Sequence, residues 1–415
     1  MSAAGAPLVG ILGGYGRVGG VAARVLSAEC GYRLRVGGRS ADAAWSLARR
    51  LGTGAEAAVV DAADRQSLRH FTRGCTAVLD CSGTAFALRG RVRRSVLAAG
   101  VHYVGMTDDG GPHAGAGPAA AVLFTGLGGT LAGWLPRLLA DGLDTATRFD
   151  GWYAGRGAVA PHAAVSGLLS RRRALDVPAD TGPSRLPGGD LPAGSPSRRP
   201  DGPPGTAREE EADQAGPPGG EAPPAARESR PPWPLPARPA AVHRFLPEEL
   251  GRQAYLLRLE EARWHEVFPG DATPTVLDRL DRRPPGTLDT RALMAFAREL
   301  SRARRLDAEK NSPYEMTYGT LDGLTSDGIA VRRSALMHCT NVSGLVGVLA
   351  SVAVHEAAGG RLPSGTHPAA ATLPPRGTAD WIVRHLARAT VRTTEIPTGA
   401  TGTPTCSPMA ARRPG

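Results

Sequence analysis

The sequence predicts an α/β fold: a parallel sheet covered on both faces by helices, followed by an α+β region. Three observations lead there. First, an apolar stretch (Val9, Ile11, Leu12) meets Gly13-Gly14-Tyr15-Gly16-Arg17-Val18-Gly19 and then an alanine-rich stretch with helical spacing. Strand, glycine turn and helix in that order open a βαβ unit. Second, short apolar runs alternate with helical patterns up to residue 104, the signature of a parallel sheet with helices on both sides. Third, beyond residue 241 the pattern changes to helices and an antiparallel strand pair.

Each element can be justified in order. Residues 8–12 are the first strand and 21–26 lie in the first helix. Residues 32–36 form a second strand, and 41–51 a helix with Ala44, Leu47, Ala48 and Leu51 on one face. A third strand at 57–61 precedes a helix at 64–71 that turns Leu68 and Phe71 inward. Residues 77–81 and 101–104 are strands, separated by a helix at 91–99. Further strands are expected at 122–125 and 147–153. Helices are expected at 248–261 and 290–305, the second with Leu293, Phe296, Ala297 and Leu300 on one face. Residues 314–319 and 329–337 read as an antiparallel pair joined across Asp322-Gly323, and 342–356 as an apolar helix.

The glycine spacing has a chemical purpose. Gly14 allows the tight turn, Gly16 leaves the backbone open to a pyrophosphate, and Gly19 lets the helix pack closely on the strand. Free N–H groups at the helix start face the phosphates. This is a Rossmann-type nucleotide site, with Gly13, Gly14, Tyr15, Gly16, Arg17, Val18 and Gly19 as its turn. An acid commonly stands at the end of the second strand, on the ribose 2′-hydroxyl of NAD. Here Arg39 and Ser40 stand there. A guanidinium and a hydroxyl suit a 2′-phosphate, so the expected cofactor is NADP(H); the plainer alternative is that Arg39 is one surface arginine among many. Asp61 ends the third strand, and the small-residue loop Cys81-Ser82-Gly83-Thr84 ends the fourth. Ligands of such sheets gather at these strand ends, so both are expected to contact the cofactor, the loop near its nicotinamide.

Composition narrows the class. The formal charge is +10, yet nearly all basic residues are arginine, with Lys310 the one lysine. Gly (54) and Pro (36) are inflated along with Ala and Arg, a pattern of base composition rather than of a nucleic-acid footprint. No helix-turn-helix, zinc-finger or RNA-recognition pattern occurs, so no nucleic-acid partner is expected. The five cysteines are odd in number and form no C-x-x-C pair, which fits a reducing cytosol. No leader segment and no apolar run of membrane-spanning length occurs. The expectation is a soluble, cytoplasmic protein with no membrane partner. No metal is expected either, since His265-Glu266 and His355-Glu356 both lack the second histidine of H-E-x-x-H.

Residues 60–104 add a specific likeness. The runs Val60-Asp61, Ala77-Val78-Leu79-Asp80 and Ala98-Ala99-Gly100-Val101-His102-Tyr103-Val104 resemble the NADP-binding domain of the saccharopine dehydrogenase (saccharopine reductase) family. That family follows with a strand and a G-x-x-P-G-L turn leading out of the domain; here Gly129-Thr130-Leu131-Ala132-Gly133-Trp134 stands in its place, with Ala132 for proline and Trp134 for leucine. The resemblance implies a substrate domain whose sheet faces the nicotinamide. It implies residues 1–128 as the NADP domain, with 343–396 packing back on it, and 129–176 plus 241–342 as the α+β substrate domain. Between them, 177–240 is rich in Pro, Gly, Arg, Glu and Ser and reads as a disordered insertion; Pro231-Pro232-Trp233-Pro234 leaves a partner-binding segment as the rival. Residues 397–415 read as a flexible tail.

The resemblance also implies chemistry at a C–N bond of secondary-amine level. Stand-alone thiazoline (cyclic imine) reductases of siderophore assembly resemble the same family. Reduction of an imine or thiazoline in siderophore or non-ribosomal peptide biosynthesis is therefore the favoured expectation. An amino-acid enzyme of the saccharopine reductase kind, or a non-catalytic NADPH-binding protein, are the alternatives. The expected partner is a small-molecule substrate, free or tethered to a carrier protein, with a homodimer as one expected assembly. Hydride transfer also needs a proton source. His162 is the first candidate because an ordinary imidazole titrates near neutral pH; Tyr153 is the second, and Arg156 adds a cation nearby. Structural roles, a loop histidine on a carbonyl and a half-buried strand tyrosine, stand beside both.

Overall fold

The computed structural model describes residues 5–83, 88, 90–107, 117–176, 241–284, 289–309, 312–398 and 405–407, without the side chains of 173–176 and 405–407. Thr84, the 177–240 segment and most of the C-terminal tail lie outside the described residues. Among the described residues no helix is long and apolar enough to cross a membrane.

The first half follows the sequence closely. Its elements are β1 (Leu8–Leu12), α1 (Arg17–Cys30), β2 (Arg33–Gly38), α2 (Ala41–Leu51), β3 (Ala55–Val59), α3 (Arg65–Thr72), β4 (Ala77–Asp80), α4 (Arg91–Leu97), β5 (His102–Gly105) and β6 (Ala120–Leu123). Local chemistry sets the boundaries. Ser40 caps α2 through Ala43 N, Asp64 caps α3 through Gln66 N and Ser67 N, and Gly31 takes the left-handed conformation that ends α1. Helix α5 (Leu127–Ala140) comes next, so the 129–134 run is helix rather than an exit turn. Ala132 keeps its backbone N–H for the helix, which tolerates Pro136 one turn on, and Leu131, Ala132 and Trp134 are all buried.

The second half is β7 (Thr145–Arg156), α6 (Pro161–Asp176), β8 (Ala241–Arg244), α7 (Glu248–Leu256), β9 (Glu261–Phe268), α8 (Ala272–Asp281), α9 (Thr290–Ala308), β10 (Tyr314–Leu324), β11 (Ala330–Cys339), α10 (Val342–Ala358), β12 (Gly365–Pro368), α11 (Ala369–Thr372), α12 (Pro375–His385), β13 (Thr390–Pro397) and β14 (Thr405–Ser407). Three expectations are corrected here. The helix expected over 248–261 stops at Leu256, and Glu261 opens a strand. The hairpin turns at 325–328, with Gly328 at φ +76, while Asp322 and Gly323 stay inside β10. The tail contains β14, which pairs with β13.

The strands make two seven-stranded sheets. The first is parallel throughout, in the order β12-β6-β5-β4-β1-β2-β3. The second is mixed, in the order β14-β13-β11-β10-β7-β9-β8. The chain leaves the first sheet through α5, returns through α10 to add β12, and leaves again through α12 to add β13. Residues 343–396 are thus shared between the two sheets. Helix α10 is buried nearly all round because it lies between α1 and strands β4 and β5.

Candidate functional site

A cavity of about 480 Å³ opens where the carboxyl ends of the parallel strands meet the second sheet. Its first wall is the glycine turn. Gly13 takes φ +69 while Gly14 does not, so the tight turn belongs to Gly13 rather than Gly14. A Cβ on Gly14 would lie 2.9 Å from the Ile11 carbonyl, and one on Gly19 would lie 2.5 Å from the Gly13 carbonyl. Those two glycines serve close packing. Gly13 N and Gly14 N donate to the Gly37 carbonyl at 2.8 and 3.1 Å, fixing the turn to β2. Helix α1 has no side-chain cap and no acid in its first turn. Its first N–H groups are left for an anion, as a nucleotide pyrophosphate requires.

The loop after β4 supplies the second wall. Asp80 is buried; its Oδ1 accepts from Ser82 N at 3.0 Å and Ser82 Oγ at 2.6 Å, and its Oδ2 from Tyr103 Oη at 3.1 Å. Cys81, Ser82 and Gly83 therefore sit in a fixed loop on the cavity. Burial pushes the Cys81 thiol strongly up, so it stays protonated.

The remaining expected residues divide. Gly16, Arg17, Val18, Gly19, Cys81, Ser82, Gly83, Tyr153 and His162 line the cavity. Arg39 and Ser40 stand exposed past β2, and Ser40 N donates to Tyr15 Oη at 3.0 Å. Asp61 lies outside the cavity; its Oδ1 accepts from Ala63 N at 2.9 Å and caps the turn into α3.

The second sheet contributes an ionisable cluster. Tyr153 is opposite Glu266 in the parallel β7–β9 register, and Gly155 is opposite Glu315 in the antiparallel β7–β10 register. Alternation puts all four on one face. Tyr153 Oη donates to Glu315 Oε2 at 2.5 Å, and Arg304 NH2 stands 3.5 Å from Glu315 Oε1. Arg171 NH1 donates to Glu266 Oε2 at 3.3 Å. Burial raises the pKa of Glu315 and of Glu266, and burial beside Glu315 holds the Tyr153 hydroxyl protonated. Glu315, Glu266, Arg304 and Arg171 were not singled out from the sequence. The available signal was a charged residue at the inward position of an apolar strand, which periodicity alone does not separate from a solvated face.

His162 lies on the first turn of α6, at the cavity mouth. Its ring would be 2.9–3.1 Å from a Cβ on Gly83. Desolvation by the wall lowers its pKa below the ordinary 6.5. Arg156 lies outside the cavity, over the Tyr314 ring.

A parallel nucleotide-binding sheet that closes a cavity against a second, mixed sheet with ionisable groups defines a two-domain, nucleotide-dependent architecture. Residues 9–108 match the family model described as the saccharopine dehydrogenase NADP binding domain. Residues 9–108 are therefore similar to a saccharopine dehydrogenase NADP-binding domain, and the cofactor is NADP(H). Among solved structures it is similar to apo saccharopine dehydrogenase (L-Glu forming) from Saccharomyces cerevisiae, with TM-score 0.49 and 11% identity over 94% of this chain and 100% of that one. It is also similar to a short-chain dehydrogenase/reductase from Veillonella parvula in complex with NADP (TM-score 0.23, 10% identity, 25% of this chain and 48% of that one). A third is the Citrobacter sp. triphenylmethane reductase complexed with NADP(H) (TM-score 0.21, 20% identity, 24% and 37%). No curated protein matches the chain significantly.

Proposed function

We propose that the chain is an NADPH-dependent reductase of a C=N bond, in an imine or thiazoline of specialised metabolism such as siderophore or non-ribosomal peptide assembly. The substrate is a small molecule, free or tethered to a carrier protein. One observation carries the proposal: a single cavity lined by the glycine turn on one side and by Tyr153, Glu315 and Arg304 on the other. The donor set fits the cofactor. Backbone N–H groups at the start of α1 would hold its pyrophosphate, and Arg39 and Ser40 would hold its 2′-phosphate. NADPH, when bound, supplies a hydride.

The chain's own task is then to put a proton on nitrogen. Tyr153 holds its proton and is already hydrogen-bonded to Glu315. Burial raises the pKa of Glu315; when protonated it donates to Tyr153 Oη in place of accepting from it, which frees the tyrosine's own proton for the substrate nitrogen. Arg304 stabilises the carboxylate that remains. His162, held neutral, suits a positioning role at the mouth better than that of an acid.

The test is NADPH oxidation by the full chain over cyclic imines, thiazolines, ketones and amino-acid/keto-acid pairs. Imines or thiazolines should be turned over. Tyr153→Phe should lower kcat by about 10²–10⁴ with unchanged NADPH affinity, while His162→Ala should act mainly on KM. The reverse pattern would make His162 the donor. Turnover of only amino-acid/keto-acid pairs would favour an enzyme of the saccharopine reductase kind, and cofactor binding without any turnover would favour a non-catalytic role.

A further inference from the structure

The cavity wall contributed by the second sheet carries two carboxyl groups, Glu266 and Glu315. Two guanidiniums stand on it, and both are committed. Arg171 donates through Nε to both oxygens of Asp281 at 2.9 and 3.1 Å, and through NH2 to Oδ2 at 2.5 Å. It also reaches His243 Nδ1 at 2.9 Å. Arg304 serves Glu315 and the Gly157 carbonyl. Asp281, which lies outside the cavity lining, thus holds Arg171, and Glu315 holds Arg304.

Glu266 is the more loosely paired of the two carboxyl groups. Its Oε2 takes one 3.3 Å bond from Arg171, already occupied by Asp281. Its Oε1 has no hydrogen-bond partner among the described residues, and it borders the cavity beside Gly128, whose added Cβ would lie 3.5 Å away. The side chain is only 18% exposed. Its Oε1 opens on the cavity and can accept a hydrogen bond from a ligand there. The register places it next to Tyr153.

We propose that Glu266 is the counter-ion of the substrate nitrogen. The cavity takes a ligand that is cationic at its reacting nitrogen, an iminium before reduction and a protonated secondary amine after it. It does not take a substrate anchored by carboxylates on Arg171 or Arg304. The placing of that nitrogen beside Tyr153 rests on the C=N reading above.

The atoms balance. The imine nitrogen accepts the Tyr153 hydroxyl proton, an N–H bond forms, and the nitrogen becomes positive opposite Glu266. Glu315 returns a proton to Tyr153 and keeps the negative charge beside Arg304. The hydride then adds to carbon and discharges the iminium; Glu315 and the amine each take up a proton from solvent, which restores the acid and leaves the product as an ammonium.

The experiment is isothermal titration calorimetry on the full, NADP⁺-loaded chain with three ring probes: 2-methylpyrrolidine (cationic), 2-methyltetrahydrofuran (neutral) and cyclopentanecarboxylate (anionic). Turnover of 2-methyl-1-pyrroline is followed in parallel. The amine should bind at least about ten times more tightly than the ether, and the carboxylate most weakly. Glu266→Gln should erase the amine's advantage, a loss of about 10–100-fold, with NADP⁺ affinity unchanged. If that variant does not fold, the ranking of probes on the parent protein decides alone. Preference for the carboxylate, no measurable amine binding, or an amine advantage that survives Glu266→Gln overturns the proposal. An amine that ranks first without turnover of any imine refutes the C=N reading and leaves Glu266 as a cation site. Imine turnover with no amine advantage does the opposite.

Discussion

Glycine at position 155 is what lets Glu315 reach Tyr153. A Cβ there would lie 2.2 Å from Glu315 Oε2, so the carboxylate occupies the space a side chain would take. Gly155→Ala should push the carboxylate off the tyrosine. The expected outcome is a fall in kcat approaching that of Tyr153→Phe, with NADPH affinity unchanged; parental kcat in single-turnover kinetics would show that the Tyr153–Glu315 bond does not serve the reaction. At the other end of the cofactor site, Arg39 is exposed past β2, and Tyr15 Oη accepts from Ser40 N next to it. Arg39→Ala should remove most of the preference for NADPH over NADH, about 1.5–3 kcal/mol for a charge-assisted contact. Equal NADPH and NADH affinities in the parent, measured by fluorescence titration, would rule this out. At this scale the sequence was readable where backbone geometry dictates residue type. Gly13 to Gly19 could be placed because few residues fit such a turn. Glu266 and Glu315 could not, because a buried carboxylate is recognised by its partners, and Arg171 and Arg304 come from distant helices.

Among elements, α1 packs closely against α10. A Cβ on Gly347 would lie 2.7 Å from Val21 Cβ and 3.0 Å from the Val18 carbonyl. The segment returning from the second sheet is thereby pressed onto the helix that carries the phosphate-binding turn. Gly347→Val should force the helices apart and destabilise by about 1–3 kcal/mol, read as a lower Tm, and should weaken NADPH binding because Val18 and Gly19 move with α1. A Tm within error of the parent would show that the crossing is loose. The helix was legible over 342–356 because a largely apolar run of that length exceeds what a strand needs; it ends at Ala358. Strand β9 was not: Trp264, Val267 and Phe268 are too few to separate strand from helix, and only the pairing with β7 decides. Strands β12 and β13 were missed for a related reason. Each is completed by a neighbour distant in sequence, β6 or β11, and no local period records that.

Across the whole molecule, the two sheets are tied by the three crossings and by one buried carboxyl. Glu249 on α7 is 2% exposed. Its Oε1 accepts from Thr125 Oγ1 at 2.6 Å, just past β6, and its Oε2 from Ala370 N at 3.1 Å, just past β12. Burial pushes its pKa up from 4.5 to about 7, against those two hydrogen bonds, which lower it. The sign of the linkage follows. Because the folded pKa lies above the unfolded one, the folded state binds the extra proton between about pH 4.5 and 7. This contribution is fully present below the unfolded pKa and is lost as pH rises through the folded one. Its size is on the order of 3 kcal/mol at most. The protonated acid can donate from Oε1 to Thr125 Oγ1 while Oε2 still accepts from Ala370 N. A glutamine reproduces that pattern, donating to Thr125 and accepting from Ala370, without the charge. Glu249→Gln should therefore match the parent near pH 5 and exceed it in stability at pH 8. The parent's own curve also contains His102, His162 and His265, whose lowered pKa values act in the opposite direction. The measurement is accordingly the difference between the two proteins' denaturant-unfolding free energies from pH 5 to 8. A difference that stays flat across that range, or that favours the parent at pH 8, would show that Glu249 is charged in the folded state and that its two hydrogen bonds fully offset the burial.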